Sequence, residues 1–432
     1  MRVVYVLVFL LACSSEEAAD VGIDGGARDA RPGADTSVSD APPPGDTGVD
    51  ASERDSSMDR APATIVESDS CSQEDVEAAI ARAEAGDVVR VPPGTCTWSS
   101  MVLDAPIHLQ GSGVDETTVA VTEIAVRKQA SGIVRVSGFT FERSGGGNAS
   151  KGFRVEGSWR DAQPVVFESN RFIVRGSGLF VLDVVGGVII ARNEFDGELD
   201  DSFIQPKNIG DPDGSWTSDH TMGDRDVNGT LNHYIEDNVF VGGANQGIDA
   251  DDATRVVYRY NRLVHSSFNS HGFATSSDGV RHFEVYENEF IHEGGMSPLE
   301  NQNWSIWIRG GTGVIFRNRL ADIAGSHWGD KAELRFTIRG AEDVRPQGEC
   351  NDVGYPVPRQ LGQGHDGAAP INDPIYIWEN TGAQATSAGW SWGNPCGLEF
   401  DDFFQWGRDA FNDGTSRPGY TPFVYPHPLV TP

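Results

Sequence analysis

The sequence predicts an all-β fold: one parallel β-helix of about 23 residues per coil, closed at its amino end by a single α-helix. Three observations carry this reading. An Asn-x-Phe/Leu pattern recurs along the chain, alternating apolar residues precede each Asn, and one amphipathic segment stands ahead of the first copy.

The chain of 432 residues opens with Met1-Arg2 and ten largely apolar residues, Val3 to Ala12, followed by Cys13. That run is too short to span a bilayer as a helix and has the size of a signal-peptide core. Its end, Leu10-Leu11-Ala12-Cys13, resembles the lipobox of bacterial lipoproteins. The resemblance implies cleavage before Cys13 and lipidation of its thiol, so that 1–13 is the signal and the membrane is met through a lipid anchor only. With Ser14 rather than Asp next, it also implies outer-membrane or cell-surface sorting. An ordinary signal peptide with an incidental Cys is the other reading.

Residues 14–69 carry 14 Asp/Glu against 4 Arg, with no Lys and no aromatic residue. Such a segment cannot bury enough apolar surface to offset its chain entropy, which predicts a disordered, self-repelling tether. The folded unit is then 70–432. The whole chain has a formal charge of −31; removing the tether's −10 and Arg2's +1 leaves −22. That balance argues against nucleic acid as a partner, and an anionic polysaccharide needs a cation or a local Arg cluster to bind.

Four cysteines remain after Cys13, an even number in an exported chain: Cys71, Cys96, Cys350 and Cys396. Of the three possible pairings, Cys71–Cys96 and Cys350–Cys396 are favoured because each closes a local loop. No CxxC or Cys/His spacing suggests thiol-bound metal.

The helix is expected at 72–86, SQEDVEAAIARAEAG. Ser72 with Asp75 approximates a capping box, Val76, Ile80 and Ala83 share a face, and Gly86 suits the residue past the end. The strand DVVRVPPGTCTW follows, broken by Pro92-Pro93-Gly94. A short helix before a VVRVPPGT strand resembles the start of pectate-lyase-like right-handed β-helices, and the resemblance implies a right-handed coil whose open end this helix covers.

The repeats run VVFESNRF (Asn170), VIIARNEF (Asn193), YIEDNVF (Asn238), VVYRYNRL (Asn261), FEVYENEF (Asn288) and VIFRNRL (Asn318). A degenerate copy, IVRVSGFTF, precedes them, and IYIWENTG (Asn380) follows. Steps of 23, 45, 23, 27 and 30 residues are one or two coils with insertions. Asn is expected at the sharp turn between sheets because it tolerates the left-handed region, and stacked copies can ladder their amides. The Phe or Leu two places on should point inward. The close, RPGYTPFVYPHPL, resembles the tail of a group of bacterial surface β-helix proteins. Leucine-rich repeats, which also carry periodic Asn, need more Leu and a helical return.

With Asn as a ruler, GIDAD (247–251), HGFAT (271–275) and SIWIR (305–309) should be neighbouring strands, with side chains in columns. If Ile248 and Phe273 point inward, Asp249 and Asp251 point out together, near His271, Arg309, Trp304 and Trp307. Asp183 stands ten residues before Asn193, as Asp251 does before Asn261, which aligns two carboxylates.

Two chemistries fit such a face. QGIDADD, then SHG at 270–272, then Arg309, resembles in order the aspartate-pair, Gly-His-Gly and basic motifs of polygalacturonase-type glycoside hydrolases. It departs from them in Ser270, in the Gly-Gly after Arg309, and in having no Asn-Thr-Asp upstream. Inversion needs two carboxyl groups about 6.5–9.5 Å apart, and Asp249 and Asp251 are the pair, with Asp252 in the third position. Alternatively Asp249, Asp251 and Asp252 bind Ca2+. A base then removes the proton beside a uronate carboxylate, as Arg and Lys do in lyases with this fold. Arg309, Lys331 and Arg335 are the candidates, with His327 near Lys331. The bland reading makes these a solvated turn, a structural His and a tight bend. Segments 201–232 and 341–370 read as excursions bordering the groove.

The expectation is therefore a monomeric surface lipoprotein acting on polysaccharide, as lyase or hydrolase, or holding glycan without cleaving it. The fold alone does not choose.

Overall fold

In a computed structural model of the chain, the residues described are 63–144, 152–157, 163–176, 179–184, 186–199, 202–207, 232–242, 246–272, 279–292, 304–322, 333–338, 361–365, 369–382, 385–390 and 399–430. Cys13, most of the tether, the Cys350–Cys396 pair, His327 and Lys331 lie outside them.

The parallel β-helix is the fold. Three sheets, parallel throughout, run along the molecule. Sheet I has 12 strands from Ile65–Glu67 to Ala410–Phe411, sheet II has 10 from Gly94–Trp98 to Thr381–Gly382, and sheet III has 10 from Met101–Leu103 to Ala385–Trp390. One coil passes through Phe180–Val184 of sheet III, Val188–Ala191 of sheet I, the turn at Asn193, and Glu194–Leu199 of sheet II. Ile65–Glu67, within the stretch read as tether, pairs with Val88–Arg90.

Helix α1 spans Gln73–Arg82 and buries Val76 and Ala79 against the first coils. The Ser72 hydroxyl accepts from the Asp75 backbone N–H at 3.3 Å. The Asp75 carboxylate accepts from the Ser70 hydroxyl, which in turn accepts from the Ser72 N–H at 3.0 Å. The helix stops at Ala83, and Gly86 turns three residues later with φ +92°. The Cys71–Cys96 disulfide forms as expected. It explains Gly94, where a Cβ would stand 2.6 Å from the Cys71 sulfur.

The turn between sheets I and II corrects one expectation. The residue in the left-handed region is the one before each Asn: Ser169, Arg192, Asp237, Tyr260, Glu287, Arg317 and Glu379, with φ between 52° and 56°. Left-handed backbone costs a non-glycine residue about 1–2 kcal/mol. The bend turns the following Asn inward, where its amide offsets that cost. Asn238, for instance, donates from Nδ2 to Asn261 Oδ1 at 3.0 Å and to Ile190 O at 2.8 Å. Its Oδ1 accepts from the backbone N and the Nδ2 of Asn193, at 2.9 and 3.0 Å. The ladder continues from Asn170 to Asn380. In the degenerate copy Gly138, φ +77°, takes the left-handed place and Phe139 donates its N–H to Asn170 Oδ1.

Two places past each Asn, the side chain points inward as expected. Phe141, Phe172, Phe195 and Phe240 form a stack with centroid spacings of 5.6, 5.0 and 4.6 Å, and Leu263, Phe290 and Leu320 extend the same buried row. The outer face of sheet I carries a second apolar cluster, including Tyr234, Tyr286, Phe316 and Trp378. Residues Arg417 to Val430 run back along it.

Candidate functional site

The site lies on the outer face of sheet III. Ile248 and Ala250 are buried in the interior, which turns Asp249 and Asp251 outward as expected. The neighbouring strand, however, is Phe268–Ser270: Ile248 pairs with Phe268 and Ala250 with Ser270. The Asn ruler had placed 271–275 there. Phe268 comes seven residues after Asn261, whereas its partner Ile248 comes ten after Asn238, so the chain reaches the sheet three residues sooner than in the preceding coil; Phe273 lies outside the described residues. His271 directly follows the strand, its N–H donating to Ala250 O at 2.7 Å, which seats it beside Asp251. The strand expected at 305–309 does follow, Phe268 pairing with Ile306, and Glu333–Ile338 comes next, with Ile306 pairing with Leu334.

Two columns of register positions result. One carries Gln205, Asp249, Asn269, Trp307 and Arg335. The other carries Glu156, Asp183, Lys207, Asp251, His271 and Arg309. The backbone register thus places Asp183 in the column of Asp251, two strands away, with Lys207 between. Lys207 was missed because 201–232 was read as an excursion, whereas Ser202–Lys207 is a strand. The signal was present: Ser202 comes nine residues after Asn193, close to the ten that separate Asn170 from the sheet III strand starting at Phe180.

The side chains interlock. His271 Nε2 is 3.1 Å from Asp249 Oδ2, and its Nδ1 is 3.9 Å from Asp251 Oδ2. Asp249 Oδ1 accepts from Asn269 Nδ2 at 3.0 Å and from Arg309 Nη2 at 3.3 Å. Arg309 is fixed further by Nε donating to Ser270 O at 3.1 Å and by the Trp307 ring 4.3 Å beneath its guanidinium. Gly272 is required here, since a Cβ would lie 2.4 Å from Arg309 O. Lys207 Nζ is 3.5 Å from Asp252 Oδ2. Asp251 Oδ1 accepts from the Asp252 N–H at 2.9 Å.

Beside this cluster Trp304 and Trp307 stand 4.6 Å apart, and Arg335 lies 4.4 Å over Trp304. Trp307 Nε1 donates to Thr337 Oγ1 at 2.7 Å. The two rings are tilted by 58° to one another, and each carries a guanidinium group on its face.

The two main carboxylates sit in opposite environments although both are buried, at 7% and 6% exposure. Burial pushes the Asp249 carboxyl up, but His271, Arg309 and Lys207 outweigh it and hold it below the ordinary aspartate range. Burial, joined by Asp252 and Asp249 and opposed by His271, holds Asp251 above that range. Burial lowers Lys207, yet Asp251, Asp252 and Asp249 outweigh it and hold the ammonium more basic than usual.

Calcium fits these residues poorly. Among the described residues no three His, Cys, Asp or Glu side chains are placed to share a metal. The oxygens expected to coordinate it already face Arg309, Asn269, His271 and Lys207. Among the described residues, no helix is long and apolar enough to cross a membrane. No protein-family model matches the chain, and no curated protein matches it in sequence.

Proposed function

We propose that this chain is a polysaccharide-active β-helix protein that cleaves a uronic-acid-containing glycan on the outer face of sheet III. The observation that carries the reading is the placement of His271 between two buried carboxyl groups that their surroundings shift in opposite directions, Asp249 down and Asp251 up. Titratable groups whose surroundings push their pKa values apart are the signature of acid and base roles in one site.

Of the two chemistries, β-elimination suits the geometry better than hydrolysis. Inversion requires a water between the two carboxyl groups. Here the imidazole occupies that space. In elimination Arg309, Lys207 and Arg335 neutralise the uronate carboxylate without a metal. His271, oriented by Asp249, takes the proton beside that carboxylate. Asp251 gives its proton to the leaving glycosidic oxygen as the bond breaks, and the half-buried Trp304, backed by the buried Trp307, offers the sugar its ring. The resemblance to pectate-lyase-like proteins supports the substrate class. The lipobox-like Leu10–Cys13 segment and the acidic tether support presentation at the cell surface by a lipid anchor.

A second reading, a glycan-binding surface protein without catalysis, is favoured by the same packing: Asp249 is satisfied by protein partners on both oxygens. The test is incubation of the full chain with polygalacturonate, alginate, glucuronoxylan and neutral polysaccharides, following both ultraviolet absorbance and reducing ends. Elimination yields both signals and loses them in Asp251→Asn and His271→Ala. Reducing ends without absorbance mean hydrolysis. Retention of a glycan with neither signal establishes the binder.

A further inference from the structure

A second recess opens at the carboxy-terminal mouth of the solenoid. It is a cleft of about 430 Å³ lined by Thr386, Trp406, Gly407, Phe411, Asn412 and Asp413. It lies between the last strand of sheet III, Ala385–Trp390, and the last strand of sheet I, Ala410–Phe411. Along sheet III it stands four strands beyond Gln246–Ala250, roughly 19 Å at about 4.8 Å per strand. It is therefore distinct from the Asp249 cluster.

Its chemistry is specific. Trp406 is 44% exposed, whereas Trp98, Trp307 and Trp378 are buried. An exposed indole costs the molecule apolar surface in water, and here the ring is held in place as well. Phe336 and Phe404 contact it edge-to-face, at 5.4 and 5.1 Å between centroids. A tight turn, with Gly407 N donating to Ala410 O at 2.8 Å and Gly407 at φ +81°, fixes the backbone that presents it. On the far wall Phe411 stacks on Tyr376 at 5.0 Å.

The rim is polar and its hydrogen-bonding capacity is only partly used. Asn412 Nδ2 donates to Thr386 Oγ1 at 3.1 Å, which leaves its second N–H and its carbonyl oxygen to the cleft or solvent. Asp413 Oδ1 accepts from the Thr415 N–H at 2.9 Å, and no cation among the described residues pairs with its carboxylate. A rigid aromatic face beside an amide and an acceptor-only carboxylate matches a ring that is apolar on one face and fringed with hydroxyl donors. Asp413 disfavours a uronate or a phosphate.

We propose that this cleft is a carbohydrate subsite that binds a neutral sugar residue, its ring stacked on Trp406 and its hydroxyls bonded to Asp413 and Asn412. It shares the ligand class of the proposed function but needs no chemistry at Asp249 and Asp251. Its role is to hold the glycan at the end of the solenoid while another stretch lies along sheet III.

The test is calorimetric titration of the full chain, and of an Asp249→Ala/Asp251→Ala variant, with cellohexaose, xylohexaose, mannohexaose and trigalacturonate. At least one neutral hexasaccharide binds, and the double variant binds it equally well. Trp406→Ala weakens that binding tenfold or more, and Asp413→Asn and Asn412→Ala weaken it severalfold. Asp413 and Asn412 lie at the rim, so their variants remain informative if Trp406→Ala fails to fold. The subsite is overturned if none of the three neutral probes binds. It is also overturned if the rim variants bind like the wild type, or if Asp249→Ala/Asp251→Ala abolishes neutral-sugar binding. Cleavage failing in every assay while neutral binding persists refutes the proposed function and leaves the subsite intact.

Discussion

His271 stands between Asp249 and Asp251 with one ring nitrogen toward each carboxylate, Nε2 at 3.1 Å and Nδ1 at 3.9 Å. The shorter contact fixes the ring. The longer one leaves the Asp251 carboxyl group, raised above its ordinary range, beside the ring without a direct hydrogen bond. Arg309 and Asn269 reach Asp249 from the next two strands, so three coils build one site.

Kinetics test the roles first. Loss of a positioned acid or base usually costs about 10²–10⁴-fold in rate. His271→Ala should lower kcat by that order with little change in KM, whereas Arg335→Ala should mainly raise KM. Because Asp251 must hold its proton and is raised from the ordinary value of about 3.9, kcat should fall on the alkaline side of the profile and peak in mild acid. A rate that keeps rising to pH 9 rules Asp251 out as proton donor.

Stability separates the same two aspartates by sign. The folded state holds Asp249 below its ordinary value, so its contribution is present above that value and is lost as pH falls through the lowered one. Asp249→Asn should therefore lower the melting temperature at pH 7. Asp249→Ala, which takes one carboxylate partner from the buried Arg309, should cost about 3 kcal/mol. Asp251 is raised, so its favourable contribution is present below the ordinary value and is lost as pH rises through the raised one. Asp251→Asn should raise the melting temperature at pH 7, with the gap closing toward pH 3. Thermal melts of both variants across pH 3–7 check the opposite signs.

The coil was legible because its strongest signals are local and periodic. Each Asn and the inward Phe or Leu two places on recur at coil spacing, and side-chain period fixes which residues face inward. The site was legible in its membership but not in its register. Asp249, Asp251, His271, Arg309 and the two tryptophans do meet, yet His271 arrives from the end of Phe268–Ser270, since coil length varies between Asn and the sheet III strand. Lys207 escaped because a strand before a long insertion reads like the insertion. Charge pairing across coils depends on contacts between residues 20 to 60 positions apart, which no local pattern encodes.

The Asn ladder predicts a graded mutational series. Asn238→Ala removes the donors to Asn261 and Ile190 and takes the acceptor from the buried backbone N–H of Asn193, whose Nδ2 keeps Phe167 O and Ala191 O. An unsatisfied buried group costs about 1–3 kcal/mol. Mid-ladder substitution should thus cost about 3 kcal/mol or more, while Asn380→Ala, at the half-buried end, should cost about 1 kcal/mol. Chemical denaturation of the two variants gives the comparison, and equal losses would sink the ladder's role.

The last prediction concerns the segment that runs back along sheet I. Arg417 pairs with Asp373 at 2.8 Å, the Tyr420 hydroxyl donates to Glu284 at 2.6 Å, and Arg259 donates to Phe423 O and Val424 O at 2.9 and 2.8 Å. Further on, His427 N donates to Glu236 at 2.8 Å and Arg135 Nη2 to Leu429 O at 2.7 Å. Together these contacts tie coils near both ends of the solenoid. The Arg259–Glu236 pair at 2.6 Å is fully buried, so releasing the segment admits water to charges that are now sealed. Burial, with Arg259 nearby, pushes the His427 imidazole down to about 4. Its contribution is therefore complete above the unfolded value of about 6.5 and is lost as pH falls through about 4. Amide exchange of residues 417–430, corrected for intrinsic rate, should accelerate between pH 6.5 and 4. His108, also pushed down to about 4 by burial, lies beside Arg135 on the next strand of sheet I and contributes its own slope. The informative quantity is accordingly the difference between wild type and His427→Gln. That variant should lose part of the acceleration, and a slope identical to the wild type's would assign the whole effect elsewhere.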